Sequence, residues 1–85
     1  MSYQVYILQS EIDGSYYVGS TQDLDERMDR HNQGRSKYTK AKRPWRLVFQ
    51  ESHPDRSSAV KRENQIKSRK SRKFIEKLAR ASRQS

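Results

Sequence analysis

Gln4-Val5-Tyr6-Ile7-Leu8-Gln9, then Glu11-Ile12-Asp13-Gly14-Ser15, then Tyr16-Tyr17-Val18-Gly19 sets the architecture of the chain. The first run is rich in β-branched and aromatic residues, the second supplies turn formers and the third has the composition of a returning strand, so together they predict a β-hairpin. Downstream, Ser20, Thr21 and Asp23 are helix N-cap types. They precede a segment with acidic residues in its first turn and Gly34 past its end, which predicts a helix over roughly 22–33. Leu24 and Met28 lie one turn apart in it, as do Arg27 and His31, so the apolar pair anchors the helix while Arg27 and His31 lean toward the hairpin's edge. Residues 35–44 read as a basic loop with one aromatic, Tyr38, and Trp45 to Glu51 as a third strand. Pro54 and Asp55 open a helix over about 55–69, with Ala59, Glu63 and Ile66 as its inward stripe and Val60 and Lys67 flanking. Lys67 to Lys73 is a basic hinge in which Ser71 caps a short third helix carrying Phe74, Ile75, Leu78 and Ala79. The order β-β-α-β-α-α predicts an α+β fold, a small three-stranded antiparallel sheet flanked by helices. One domain is expected over roughly 1–80, with 81–85 a frayed polar tail.

Composition narrows the function. Eighty-five residues leave room for one small domain and exclude a multidomain enzyme. The longest apolar runs, Val5 to Leu8 and Leu47 to Phe49, are too short to cross a bilayer. Met1 to Gln4 carry neither a basic nor a long apolar region, so the expected address is the cytoplasm, or the nucleoid in a bacterium. The absence of cysteine excludes disulfides and thiolate metal sites. Charge is segregated. Residues 1–34 hold two basic and six acidic residues, a net of −4, and residues 35–85 hold seventeen and four, a net of +13, which together give the formal +9. So cationic a segment points to a polyanionic partner, most commonly nucleic acid; the plainer reading, a solubilising tail, suits only the last residues.

The paired strands Gln4-Val5-Tyr6 and Tyr17-Val18-Gly19, followed by Arg27 and His31 on one helix and Glu63 on a later one, resemble a GIY-YIG nuclease domain. The Asp13-Gly14 turn, Asp23-Leu24, His31-Asn32, Lys37-Tyr38-Thr39, Arg62-Glu63 and Ile66-Lys67 are similar to the small stand-alone branch of that superfamily. The resemblance implies hydrolysis of DNA phosphodiesters with one divalent ion, normally Mg2+ with Mn2+ as a substitute, and no small-molecule cofactor. DNA, whether duplex, branched or single-stranded, is the implied partner. Glu63 matches the family's metal ligand. Tyr6 and Tyr17 match the signature tyrosines; a phenol near a metal ion has its pKa lowered, which makes Tyr6 the acceptor of a proton from the attacking water and Tyr17 its orienting partner. Arg27 matches the helix arginine, whose fork of donors suits a phosphate, and His31 one turn on would hold the same phosphate or assist proton transfer. Lys37, Tyr38, Lys40 and Arg43 in the basic loop, and Lys67, Arg69 and Lys70 at the hinge, are the expected nucleic-acid contacts. Asn64 beside Glu63 is a weaker candidate. Two positions depart from the signature: Gln4 replaces its first glycine and Val18 its second isoleucine.

Simpler readings stand beside these. Glu63 can be half of a surface ion pair with Lys67, the tyrosines can be cross-strand packing, and Arg27 and His31 can pair with Asp23, Asp25 or Asp29. A non-catalytic, basic nucleic-acid-binding module that retains the nuclease fold is the alternative for the whole chain. A basic targeting run at residues 67–73 would account for nothing in the first half.

Overall fold

The computed structural model describes residues 2–35, 37 and 39–83. The chain runs β1 (Tyr3–Ser10), β2 (Tyr16–Thr21), α1 (Leu24–Asn32), a single 3-10 turn (Lys40–Lys42), β3 (Trp45–His53), α2 (Arg56–Arg69) and α3 (Arg72–Arg83). The strands form one antiparallel sheet in the order β2-β1-β3. This is the α+β sandwich expected from the sequence.

The unbroken apolar run Val5 to Leu8 belongs to the central strand, and both faces of that strand are covered. Val5 and Ile7 point to one face, packing with Val18, Phe49, Ala59 of α2 and Ile66 of α2, with Phe74, Ile75 and Leu78 of α3 closing the layer. Tyr6 and Leu8 point to the other face, with Trp45 and with Leu24 and Met28 of α1. Alternation along β1 thus sorts four consecutive buried residues into two cores.

Each helix starts where a capping side chain meets an orphan N–H. Asp23 accepts from the Glu26 amide at 3.0 Å, Asp55 from the Ser58 amide at 2.8 Å, and the Ser71 hydroxyl from the Phe74 amide at 3.2 Å. These caps set boundaries that differ slightly from the sequence reading. Asp23 is extended, so α1 begins at Leu24, and Ser20 and Thr21 complete β2 instead. β3 continues two residues past Glu51 because His53 pairs with Tyr3. α3 continues to Arg83, three residues beyond the boundary expected at Arg80; Gln84 and Ser85 lie outside the described residues. Among the described residues no helix is long and apolar enough to cross a membrane.

Two backbone positions shape the sheet margin and the α2–α3 elbow. Gly19 lies directly opposite Tyr6 in the sheet, and a Cβ there would stand 2.6 Å from the Tyr6 hydroxyl and 2.7 Å from its Cζ. Lys70, between α2 and α3, is left-handed (φ 50°, ψ 33°) where glycine is the favoured residue. Gly19→Ala is expected to cost about 1–3 kcal/mol in urea denaturation, because a buried ring must move. Lys70→Gly is expected to stabilise by about 0.5–1 kcal/mol in the same measurement, since the relief of left-handed strain exceeds glycine's added chain entropy.

Candidate active site

Tyr6 and Tyr17 sit on the α1 face of the sheet, Tyr6 opposite Gly19 and Tyr17 opposite Leu8. They are therefore diagonal neighbours, with ring centroids 6.3 Å apart. Because Gly19 has no side chain, the Tyr6 ring lies flat across it. Tyr6 is 1% exposed, and burial, reinforced by Tyr17 and by the Glu63 carboxylate, pushes its hydroxyl up to about 12, while the Arg27 guanidinium pulls the other way. That reverses the expected direction in the protein alone: Tyr6 is a protonated phenol at neutral pH.

His31 on α1 completes the aromatic cluster, 6.2 Å from the Tyr6 centroid and edge-on to Tyr17 at 4.8 Å. At 2% exposure it is a core residue. Its Nε2 lies 3.3 Å from the Tyr6 hydroxyl and its Nδ1 2.8 Å from the Thr39 hydroxyl. Burial, then the positive charges of Arg27 and Arg30, lower its pKa, so the ring is neutral and holds one lone pair. In the tautomer whose Nδ1–H donates to the Thr39 hydroxyl, that lone pair faces Tyr6. The simpler reading of His31, a surface pair with an aspartate, finds no such pair among the described residues.

Glu63 approaches from the opposite face. Alternation along β2 turns Ser20 toward α2, and its hydroxyl donates to Glu63 Oε1 at 2.6 Å. Lys67 donates to Oε2 at 2.5 Å, so the simple i,i+4 ion pair is present as well. An exposed pair of that kind contributes only about 0.3–0.5 kcal/mol. It does not explain a Glu63 side chain only 16% exposed, and the contact from a second element, Ser20, does more to fix it. Arg27, Ser20 and Glu63 line one open cleft of about 530 Å³, which Glu26 and Arg56 also border. Arg27 meets Glu26 at 3.8 Å, where the simpler reading pairs it with an aspartate.

Among the described residues no group of three or more metal-ligating side chains exists. A hard divalent ion that keeps most of its water shell needs only one or two carboxylates, so a half-buried glutamate at the edge of a polar cleft fits it. Glu63 is the residue that would hold such an ion, which when bound polarises phosphoryl oxygens and acidifies water.

The remaining expected contacts are dispersed. Lys37, Lys40 and Arg43 are exposed on the 35–44 loop and line neither the Glu63 cleft nor the cavity beside Tyr17; Tyr38 lies outside the described residues. Arg69 places its guanidinium over the Phe74 ring at 4.5 Å and so ties α2 to α3. Lys67 and Lys70 line the cavity beside Tyr17. Asn64 is exposed on α2.

Four contributors were missed. Ser20 was legible, because period-two alternation puts it on the same face as Tyr16 and Val18. Arg56 stands two turns before Glu63 on α2, a spacing that also shares a face. Thr39 belongs to the Lys37-Tyr38-Thr39 motif, but no local pattern marks it as a 1%-exposed side chain inside a cationic loop. Trp45 holds that threonine's carbonyl through its indole N–H at 2.9 Å and is itself held by Asn32 at 2.6 Å.

Comparison with known proteins agrees with this geometry. The family model described as the GIY-YIG catalytic domain matches residues 2–77. UPF0213 proteins of Staphylococcus aureus, from strains Mu3 and USA300 among others, are 46% identical over 67 residues, covering 78% of this chain and 80% of theirs. The solution NMR structure of the UPF0213 protein BH0048 from Bacillus halodurans is similar with a TM-score of 0.59 and 38% identity, over 95% of this chain and 85% of that one. Matched by that family model along nearly its whole length, and 46% identical to relatives it covers to four fifths, the chain belongs to the GIY-YIG family.

Proposed function

We propose that this protein is a metal-dependent endonuclease that hydrolyses DNA phosphodiesters with low sequence specificity, using Mg2+ or Mn2+, in repair, recombination or nucleic-acid turnover. The observation that carries the reading is the cleft that Ser20 of β2, Arg27 of α1 and Glu63 of α2 line together, beside a buried Tyr6 whose hydroxyl feels both of those charges. Nothing in packing requires a cation and a carboxylate of different helices to line one cleft. Arg27 offers a forked donor to a phosphate whose charge grows during in-line displacement. Tyr6, being a phenol and not a phenolate, takes a proton from water only as it passes its own to His31 Nε2, and Tyr17 holds that ring edge-on. Thr39 keeps the imidazole in the orientation this relay needs.

A second reading, a basic DNA-binding module without catalysis, is favoured by one observation. The Glu63 carboxylate already has Lys67 and Ser20 as partners, which satisfies it with no ion bound.

Cleavage of supercoiled and single-stranded circular DNA with magnesium or manganese separates the two. Wild type is expected to nick, Glu63→Ala to lose nicking while retarding DNA almost as well, and Arg27→Ala to lose about a hundredfold or more in rate. Two silent proteins that both retard DNA would give the lead to the binding module.

The relay requires a neutral His31, and that has a thermodynamic signature. A histidine whose folded pKa is depressed contributes stability that is fully present above its unfolded value of 6.5 and is lost as the pH falls through the folded value. Urea midpoints of wild type are expected to drop across that window, and those of His31→Asn to drop less. Parallel pH profiles would mean that His31 is charged in the folded protein.

A further inference from the structure

On the other side of the Ser20–Glu63 bond lies a second, larger cavity of about 740 Å³, between β2 and the elbow that joins α2 to α3. It falls within the ordinary size range of ligand sites, about 300–1,000 Å³. Val18, Ile66 and Ile75 make an apolar floor, and the rim carries Lys67, Lys70 and Arg72 with no acidic residue among the lining side chains. The Glu63 cleft, by contrast, is bordered by Asp23 and Glu26 as well as by Glu63 itself. The two spaces are joined by one ion pair: Lys67, which lines the cavity, donates to Glu63, which lines the cleft.

The rim is held in place from several sides. Arg72 donates to the Gly14 carbonyl at 3.2 Å and to Glu76 at 3.1 Å, which sets its guanidinium 5.2 Å over the Tyr16 ring. Lys70 has no ion pair among the described residues, and its left-handed backbone is one that lysine adopts at a cost. An apolar floor beneath a rim of cations matches a planar, uncharged ring that carries a phosphate.

We propose that this cavity is a subsite for one unpaired nucleotide. The base lies against Val18, Ile66 and Ile75, and its phosphate meets Lys70 and Arg72. The inference rests on the nuclease reading for its meaning, and it narrows the substrate class. A base stacked and paired in a duplex cannot turn its face into the pocket, so the strand cut at Glu63 is one with an unstacked nucleotide next to the scissile phosphate.

Titration with thymidine monophosphate in the presence of chelator, followed by amide NMR spectra of isotopically labelled protein, tests it without any cleavage. The expected result is a set of shifts at Tyr16 to Val18, Ile66 to Ser71 and Ile75, weaker by about tenfold in affinity in Lys70→Asn, the loss of one charge-assisted contact. Asparagine tolerates the left-handed conformation, so that variant keeps the elbow. Lys61→Gln, which removes one charge from α2 outside the cavity, is expected to bind as wild type. Deoxyribose phosphate binding as tightly as the nucleotide, or Lys61→Gln weakening it as much as Lys70→Asn, would reduce the site to general cationic attraction and overturn the proposal. Shifts at this cavity from an acidic peptide but not from the nucleotide would overturn it in favour of strand addition along β2. A protein that binds the nucleotide yet never nicks DNA would refute the nuclease reading and leave the pocket standing; one that nicks DNA yet ignores the nucleotide would do the reverse.

Discussion

The 2.6 Å between the Tyr6 hydroxyl and the point where a Gly19 Cβ would stand governs the rest of the site. A side chain on β2 at that position would wall the buried phenol off from the strand edge. With hydrogen there instead, a residue from the middle of the sheet reaches the field of two charged groups that belong to helices on opposite faces. The sheet is thin enough, and β2 sufficiently close to its margin, that α1 can present Arg27 from one side and α2 can present Glu63 from the other. Burial of Tyr6 and access to charge, normally in conflict, are reconciled by the loss of one methyl group.

The same economy explains the histidine. His31 is placed by helical spacing, one turn after Arg27, but its chemical state is set by residues far away in the sequence: Thr39 on one nitrogen and Tyr6 on the other. Trp45 fixes Thr39, and Asn32 fixes Trp45. The 35–44 loop therefore does two unrelated things. Its exposed lysines and arginines give it charge, and its buried Thr39 sets the orientation of an imidazole.

What was legible in the sequence was whatever repeats with a short period. Alternation gave β1 and β2 and sorted Val5 from Tyr6; the turn residues gave the hairpin; the N-cap aspartates Asp23 and Asp55 gave the helix starts to within two residues. Glu63 stood out because a carboxylate interrupts the inward stripe of Ala59 and Ile66. What stayed hidden depended on tertiary approach. No local pattern says that Thr39 is buried, that Ser20 meets a helix 43 residues later, or that Tyr6 has a phenol made harder, not easier, to ionise by its surroundings. Of the cationic residues expected at the loop and the hinge, Arg69 lies over an aromatic ring and Lys67 on a carboxylate, so a positive count overstates how many of them are at the disposal of a polyanion.

β2 is an outer strand, and an outer strand exposes a row of unsatisfied peptide groups that invites another sheet to join it. In this fold that margin is not hidden under a loop. Arg27 and Glu63 guard its Ser20 end and Lys67 its Tyr17 end, so a second copy sliding alongside would meet cations and a carboxylate instead of bare backbone. Side chains gathered around the cleft thus also put charge along an open sheet edge, which disfavours pairing with another strand. Replacing them with small neutral residues would strip that edge of its charges and, with them, of a defence against aggregation.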